Sequence, residues 1–255
     1  MRTFKEFQFL NESDGFPTSE EAIHEVCKKY GIEDYQIVDG KVNVEGNVDL
    51  HDKRLTRLPV RFGIVKGFFW CNGNELTSLE GGPKTVGGNF NCYNNKLTSL
   101  EGCPETVGRN FYCSNNNLTS LEGCPETVGR SFWCYNNELT SLKGGPKTVG
   151  GDFNCSNNKL SSLEGCPKTV GDSFYCFKNK LTSLEGCPET VDKDFDCYEN
   201  NLTSLEGGPE TVGGSFDCSD NKLISIKGIP KIGREFVYHN NPISKILDSG
   251  QKFGV

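Results

Sequence analysis

Apolar positions in this chain return every 21 residues. Leu55, Leu76, Leu97, Leu118, Leu139, Leu160, Leu181 and Leu202 open eight units of that length, and Leu223 opens a ninth that is one residue shorter. A typical unit reads LTSLEGCPETVGRNFYCSNNN. Self-similarity at a fixed period of this size marks a solenoid, in which each unit buries its apolar face only against its neighbours. Within Val86-x-x-x-Phe90-x-Cys92-x-x-Asn95-x-Leu97-x-x-Leu100, Phe90 and Cys92 alternate with Asn89, Asn91 and Tyr93. That alternation predicts a short strand with Phe and Cys turned to one side and the variable residues to the other. Asn74, Asn95, Asn116, Asn137, Asn158, Asn179, Asn200 and Asn221 end these strands. Such a column predicts a buried ladder in which each amide bonds the backbone of an adjacent coil. Gly and Pro after each Leu-Thr-Ser-Leu exclude a regular helix from the return path.

The ends read as caps, which a solenoid needs because its terminal units otherwise expose core and an open sheet edge. Thr18 with Glu21 forms a capping box, Ala22, Ile23, Val26, Cys27 and Tyr30 form an apolar stripe, and Gly31 closes the helix. Ile37 and Val38, then Val42 and Val44, then Val48 and Leu50 predict a small β-meander turning at Asp39-Gly40 and at Glu45-Gly46-Asn47. At the other end Asn241-Pro242 interrupts the last unit, and Ile243, Ile246 and Leu247 cover it. The expected division is an N-terminal segment over 1–16, a helix-and-meander cap over 17–54, nine repeats over 55–242 and a terminal cap or tail over 243–255.

The unit resembles the leucine-rich repeat, L-x-x-L-x-L-x-x-N/C-x-L, with Phe and Cys in place of the two strand leucines. The match covers residues 48 to about 243. The short unit and the phrase LTSL followed by Pro are similar to the repeats of secreted bacterial effectors, although one extra residue, usually Gly, separates Val from the strand Phe. The resemblance implies a β-rich repeat solenoid: a curved parallel sheet with a mostly non-helical convex side. Some effectors of that kind carry a ligase domain after the repeats; this chain ends about a dozen residues beyond its last unit, so that activity is not implied.

Composition narrows the function. The chain holds 27 Lys and Arg against 34 Asp and Glu, a net charge of −7, the wrong sign for nucleic acid or an anionic membrane. No apolar run approaches the ~20 residues needed to span a bilayer, and MRTFKEFQFLNES lacks the apolar stretch of a secretory signal. Eight of the 13 cysteines, Cys71, Cys92, Cys113, Cys134, Cys155, Cys176, Cys197 and Cys218, follow the 21-residue period, as do Cys103, Cys124, Cys166 and Cys187 on a second register. A residue recurring once per unit is a structural position, so these are expected to be packed thiols in a reducing, intracellular compartment. His24, His51 and His239 are scattered, no C-x-x-C occurs, and the Gly-Gly doublets lack the Lys-Ser/Thr of a phosphate loop. No metal, cofactor or catalytic signature follows. The recurring Glu80, Glu101, Glu122, Glu164, Glu185 and Glu206 mark a solvated edge.

The repeat does not dictate the outward strand positions, and there the composition changes. The column after the Phe reads Trp70, Asn91, Tyr112, Trp133, Asn154, Tyr175, Asp196, Asp217, Val237. The column after the Cys reads Asn72, Tyr93, Ser114, Tyr135, Ser156, Phe177, Tyr198, Ser219, His239, and the one before the Phe begins at Phe68 and runs through Asn, Ser and Asp to Glu235. Both Trp and five of the 8 Tyr lie in these columns, and no Lys or Arg does. Rings with short polar groups suit recognition surfaces. The candidate partner-binding residues are therefore Trp70, Tyr93, Tyr112, Trp133, Tyr135, Tyr175, Phe177, Asp196, Tyr198 and Asp217. The competing reading is that these aromatics only raise β propensity and stack across units.

The expected function is a non-catalytic module that recognises a protein with a neutral or basic patch through an aromatic and acidic concave sheet. A carbohydrate ligand and a structural virion component are the alternatives. The opening MRTFKEFQFLNES resembles the capsid-targeting leader of internal head proteins of T-even-type phages, with Leu10-Asn11-Glu12 at the cleavage tripeptide, and LTSLEGCP resembles phage-encoded leucine-rich repeats. These resemblances imply a phage protein, packaged or acting on a host protein in the host cytoplasm.

Overall fold

A computed structural model describes residues 15–248. The predicted leader and the last seven residues lie outside that range. Each coil contains two short parallel strands and no helix. In one middle coil Thr127–Val128 is followed by a three-residue corner, then Phe132–Trp133, then a tight turn at Asn136-Asn137 and an extended return through Leu139 and Leu142. Stacking places Phe on Phe. Val48–Asp49 through Phe236–Val237 form one parallel sheet of ten strands, the Phe sheet, in unbroken register. Its buried Phe rings follow one another at centroid spacings of 5.1 to 6.1 Å. Val, Phe, Cys and the two Leu of every coil merge into one continuous core. The architecture is a parallel-strand β-solenoid of about nine turns, as the repeat predicts.

Sequence reading anticipated one strand per unit, whereas the Thr-Val pairs build a second sheet. This Val sheet has eight strands up to Thr169–Val170 and three more from Thr190–Val191 to Lys231–Ile232. The interruption coincides with a change in the repeat. Coils approach so closely at the corner after Val that a Cβ on Gly108, Gly129, Gly150, Gly171 or Gly213 would stand 2.2 to 2.3 Å from a carbonyl oxygen of the coil before. The Gly that departs from the effector-type unit is thus a contact requirement of the stack. Asp192 fills this place where the sheet breaks. Gly171 donates its N–H to Val149 (3.0 Å) and Gly213 to Val191 (2.9 Å), but no equivalent bond joins Asp192 to Val170. Lys66, another non-glycine in the column, lies beside the register shift between Lys41–Val44 and Phe62–Val65 and still donates its N–H to Val44 at 3.0 Å.

The asparagine column is hydrogen-bonded from coil to coil. Asn137 Nδ2 donates to the carbonyls of Cys113 (3.1 Å) and Cys134 (3.0 Å), and its Oδ1 accepts the N–H of Leu118 (3.0 Å). Asn179 makes the same bonds while half-buried. The residue before each ladder Asn adopts a left-handed conformation, for example Asn136 at φ 52°. Asn241 does not end the pattern but extends it, accepting from Leu223 (2.9 Å) and donating to Cys218 (3.0 Å). A further ladder lies in the column before the Phe: Asn110 Oδ1 accepts from Ser131, Asp152 Oδ1 from Ser173 and Asp194 Oδ1 from Ser215, at 2.8 to 3.1 Å.

The helix α1 (Glu20–Tyr30) is capped by Ser19, whose Oγ accepts from Ala22 at 3.2 Å, instead of by the Thr18 box; Gly31 closes it at φ 65°. Ala22, Ile23 and Cys27 are buried. Only half of the predicted meander exists. Tyr35–Val38 pairs antiparallel with Lys41–Val44, but Lys41–Val44 continues into the Val sheet and Val48–Asp49 into the Phe sheet. Glu45-Gly46-Asn47 is therefore the first corner of the solenoid and not a hairpin turn. Phe16 is buried beside α1, with the Arg57 and Arg61 guanidinium groups 5.1 and 4.8 Å from its ring centre. At the far end Ile243 is buried, Leu247 packs on the core from the helix α2 (Ser244–Asp248), and Ser244 Oγ donates to the Tyr238 carbonyl at 2.7 Å. The side chain of Ile246 lies outside the described set.

Candidate functional site

The ten residues singled out from sequence all sit on the outer face of the Phe sheet, and all are half-buried by their neighbours along the stack. Alternation about a fully buried Phe and Cys fixes their direction, and in-register stacking fixes their spacing near 4.8 Å along each column. Trp70, Tyr112, Trp133, Tyr175, Asp196 and Asp217 are register partners or near neighbours in one column. Both flanking columns behave differently from the open positions expected. Ser114, Ser156 and Ser219 are buried, and the column before the Phe spends its side-chain oxygens on the ladder described above.

The aromatics gather into three groups separated by Asn91 and Asn154. Trp70 stacks on Phe68 at 4.1 Å and 22°, with His51 edge-on at 6.5 Å. Tyr112 and Trp133 meet edge to face at 5.0 Å and 79°. In the same stretch Tyr93 Oη accepts from Asn115 at 2.9 Å, and burial, then the Tyr93 phenol, push the Tyr135 hydroxyl up in pKa. Phe177 and Tyr198 stack in parallel at 4.4 Å and 7°, with Tyr175 edge-on to Phe177 at 6.5 Å. Phe68 and His51 join the face without having been singled out. Their columns were legible, but no repeat rule ranks one exposed ring above another.

Carboxylates concentrate at the third group. Asp196 and Asp217 are direct register partners, and Asp194 lies two residues before Asp196 on the same side of the strand. Asp217 is held by the Ser219 hydroxyl at 2.6 Å and backbone N–H at 2.9 Å, and Asp194 by the Ser215 N–H at 2.8 Å. The Asp196 carboxylate has no hydrogen-bond or ion-pair partner among the described residues. Burial, then the charges of Asp217 and Asp194, push its carboxyl up to about 7. The same field acts on its neighbours: burial first, then Asp196 among other acids, raises the phenols of Tyr175 and Tyr198.

Several lysines are paired between coils. Lys96 pairs with Glu75, Lys143 with Glu164, Lys147 with Glu126, Lys178 with Glu199 and Lys193 with Asp172, each reaching an acid one coil away. All thirteen thiols are free, and burial pushes the strand cysteines well above the ordinary thiol range, with Cys124 and Cys187 of the second register at about 12. Burial that disfavours the thiolate suits a packing group. Among the described residues no group of three His, Cys, Asp or Glu is arranged to hold a metal ion, and no helix is long and apolar enough to cross a membrane. A groove of about 880 Å³ between α1 and the first return segment, lined by Val26, Lys29, Tyr30, Arg54 and Leu58, is separate from the aromatic face.

No protein-family model and no curated protein matches the chain. Solved structures do. YopM from Yersinia enterocolitica WA-314 superposes with a TM-score of 0.61 at 24% identity, over 76% of this chain and 42% of that one. A second, YopM from Yersinia pestis, described as a leucine-rich effector protein, gives 0.46 at 17% identity over 76% of this chain and 66% of that one. The first likeness is one of fold. The solenoid is of the leucine-rich repeat type, and it spans under half the length of the first protein it resembles.

Proposed function

We propose that this protein is a non-catalytic repeat module that binds a protein partner through the outer face of the Phe sheet, the concave side in folds of this type. One observation carries the reading: a preformed, continuously bonded sheet displays three aromatic groups and a run of carboxylates, with no Lys or Arg in its outward columns. A rigid face of this kind avoids the ordering cost of binding, and Trp and Tyr dominate interface energetics. Fold likeness to leucine-rich effectors supports a protein-interaction role. The leader-like opening and the LTSLEGCP phrase support a phage protein acting on a host target.

Replacing Trp133 and Tyr112 by Ala tests the reading, because both rings lie outside the core. Capture of a partner from host lysate by the full chain is expected to weaken by about 2 kcal/mol or more, roughly 30-fold, while the fold is retained. Replacing Glu101 and Glu122 on the solvated edge should leave capture unchanged. Unchanged capture by the aromatic double variant would sink the proposal. Trp faces beside Asn91 and Asn154 also suit sugar rings, and retention of related glycans through Trp70 on an array would transfer the face to carbohydrate.

A further inference from the structure

We propose that the end of the face formed by Tyr175, Phe177, Asp194, Asp196, Tyr198 and Asp217 docks a lysine- or arginine-bearing segment of the protein partner, its cation beside Asp196 and its aliphatic stem along the Phe177–Tyr198 stack. This inference rests on the protein-binding reading and adds the chemistry of what is bound. Charge complementarity selects the occupant. Parallel stacking in register holds Asp196 and Asp217 on adjacent strands, so the sheet keeps their backbones about 4.8 Å apart on one face. Asp217 and Asp194 are satisfied by Ser219 and Ser215, whereas the Asp196 carboxylate has no partner among the described residues. The groups facing Asp196 are Tyr175 from the coil before, Asp194 and Tyr198 from its own coil and Asp217 from the coil after. None is cationic. Lys178 and Lys193, each next in sequence to a residue of this group, are engaged by Glu199 and Asp172. Half-buried carboxylates without a counter-charge gain from a cation supplied by a partner. The flat ring pair beside them offers the apolar surface and π-face that an Arg or Lys side chain also uses. The other two aromatic groups lack carboxylates at this density, so the charge preference belongs to this end of the face.

A randomised twelve-residue peptide library, selected on the full chain, tests the proposal. Selected peptides should be enriched in Arg and Lys. Exchanging those residues for citrulline or norleucine should weaken binding about tenfold or more, and so should Asp196→Asn with Asp217→Asn in a protein that keeps its melting transition. Binding should also weaken as the pH falls from 8 to 6, because a proton then competes with the cation for Asp196. Peptides that bind through Trp133 and Tyr112 without a basic bias would overturn this inference and leave the protein-binding reading standing. Peptides indifferent to both sets of residues, or no selected peptides at all, would count against both.

Discussion

At Asn137 one amide serves two coils, giving two protons to the carbonyls of Cys113 and Cys134 and taking the N–H of Leu118. Turn backbone buried at the sheet's end would otherwise go unpaired, at about 1 to 3 kcal/mol for each group. Asp196 presents the opposite case, a half-buried carboxylate with like charges beside it and no partner for it among the described residues. An aspartate titrates near 3.8 when unfolded and Asp196 titrates at about 7 in the fold. Between those values the folded state binds more protons than the unfolded state, so this residue lowers stability progressively from about pH 4 to pH 7, and the loss is complete above it. Asp196→Asn is therefore expected to raise the melting temperature at pH 8 and to change it little at pH 4. An equal effect at both pH values, followed by circular dichroism, would contradict the assignment. A carboxylate kept at the expense of stability is what a binding face retains.

Among the elements, the corner between the two strands decides whether neighbouring coils close up. Gly150→Asp should open a break in the Val sheet like the one at Asp192, with faster amide exchange across Thr148–Val149 and a loss of about 1 to 3 kcal/mol. Asp192→Gly should slow exchange at position 192 by joining Thr169–Val170 to Thr190–Val191. Unaltered exchange in both variants would refute the close-contact explanation. Much of this was legible beforehand, because period, strand alternation and the asparagine column are repeated statements of one physical requirement. The Val sheet was not: two-residue strands carry too little alternation to be seen, and Thr-Val reads equally as a loop. Corner glycine looked like an insertion until the carbonyl it faces was in view. The meander failed for a related reason, since Glu45-Gly46-Asn47 carries hairpin chemistry but joins strands that go to different sheets. On the face, the columns could be written from sequence. Burial of Ser114, Ser156 and Ser219, and the ladder before the Phe, depend on neighbours one coil away.

For the molecule as a whole, the repeat solves packing identically nine times and leaves its outward columns free to differ. On the other surfaces several charged residues pair between consecutive coils, as exposed ion pairs that water and salt screen. The aromatic groups and the Asp194, Asp196 and Asp217 carboxylates share one face of the Phe sheet, and the central claim is that a partner binds there. Site-specific photocrosslinking reads this directly. A benzophenone side chain at Asn154, on the face between the second and third aromatic groups, is compared with one at Glu164 on the solvated edge. The account predicts a crosslinked partner from position 154 and none from position 164. A partner joined from position 164 and not from position 154 would contradict it.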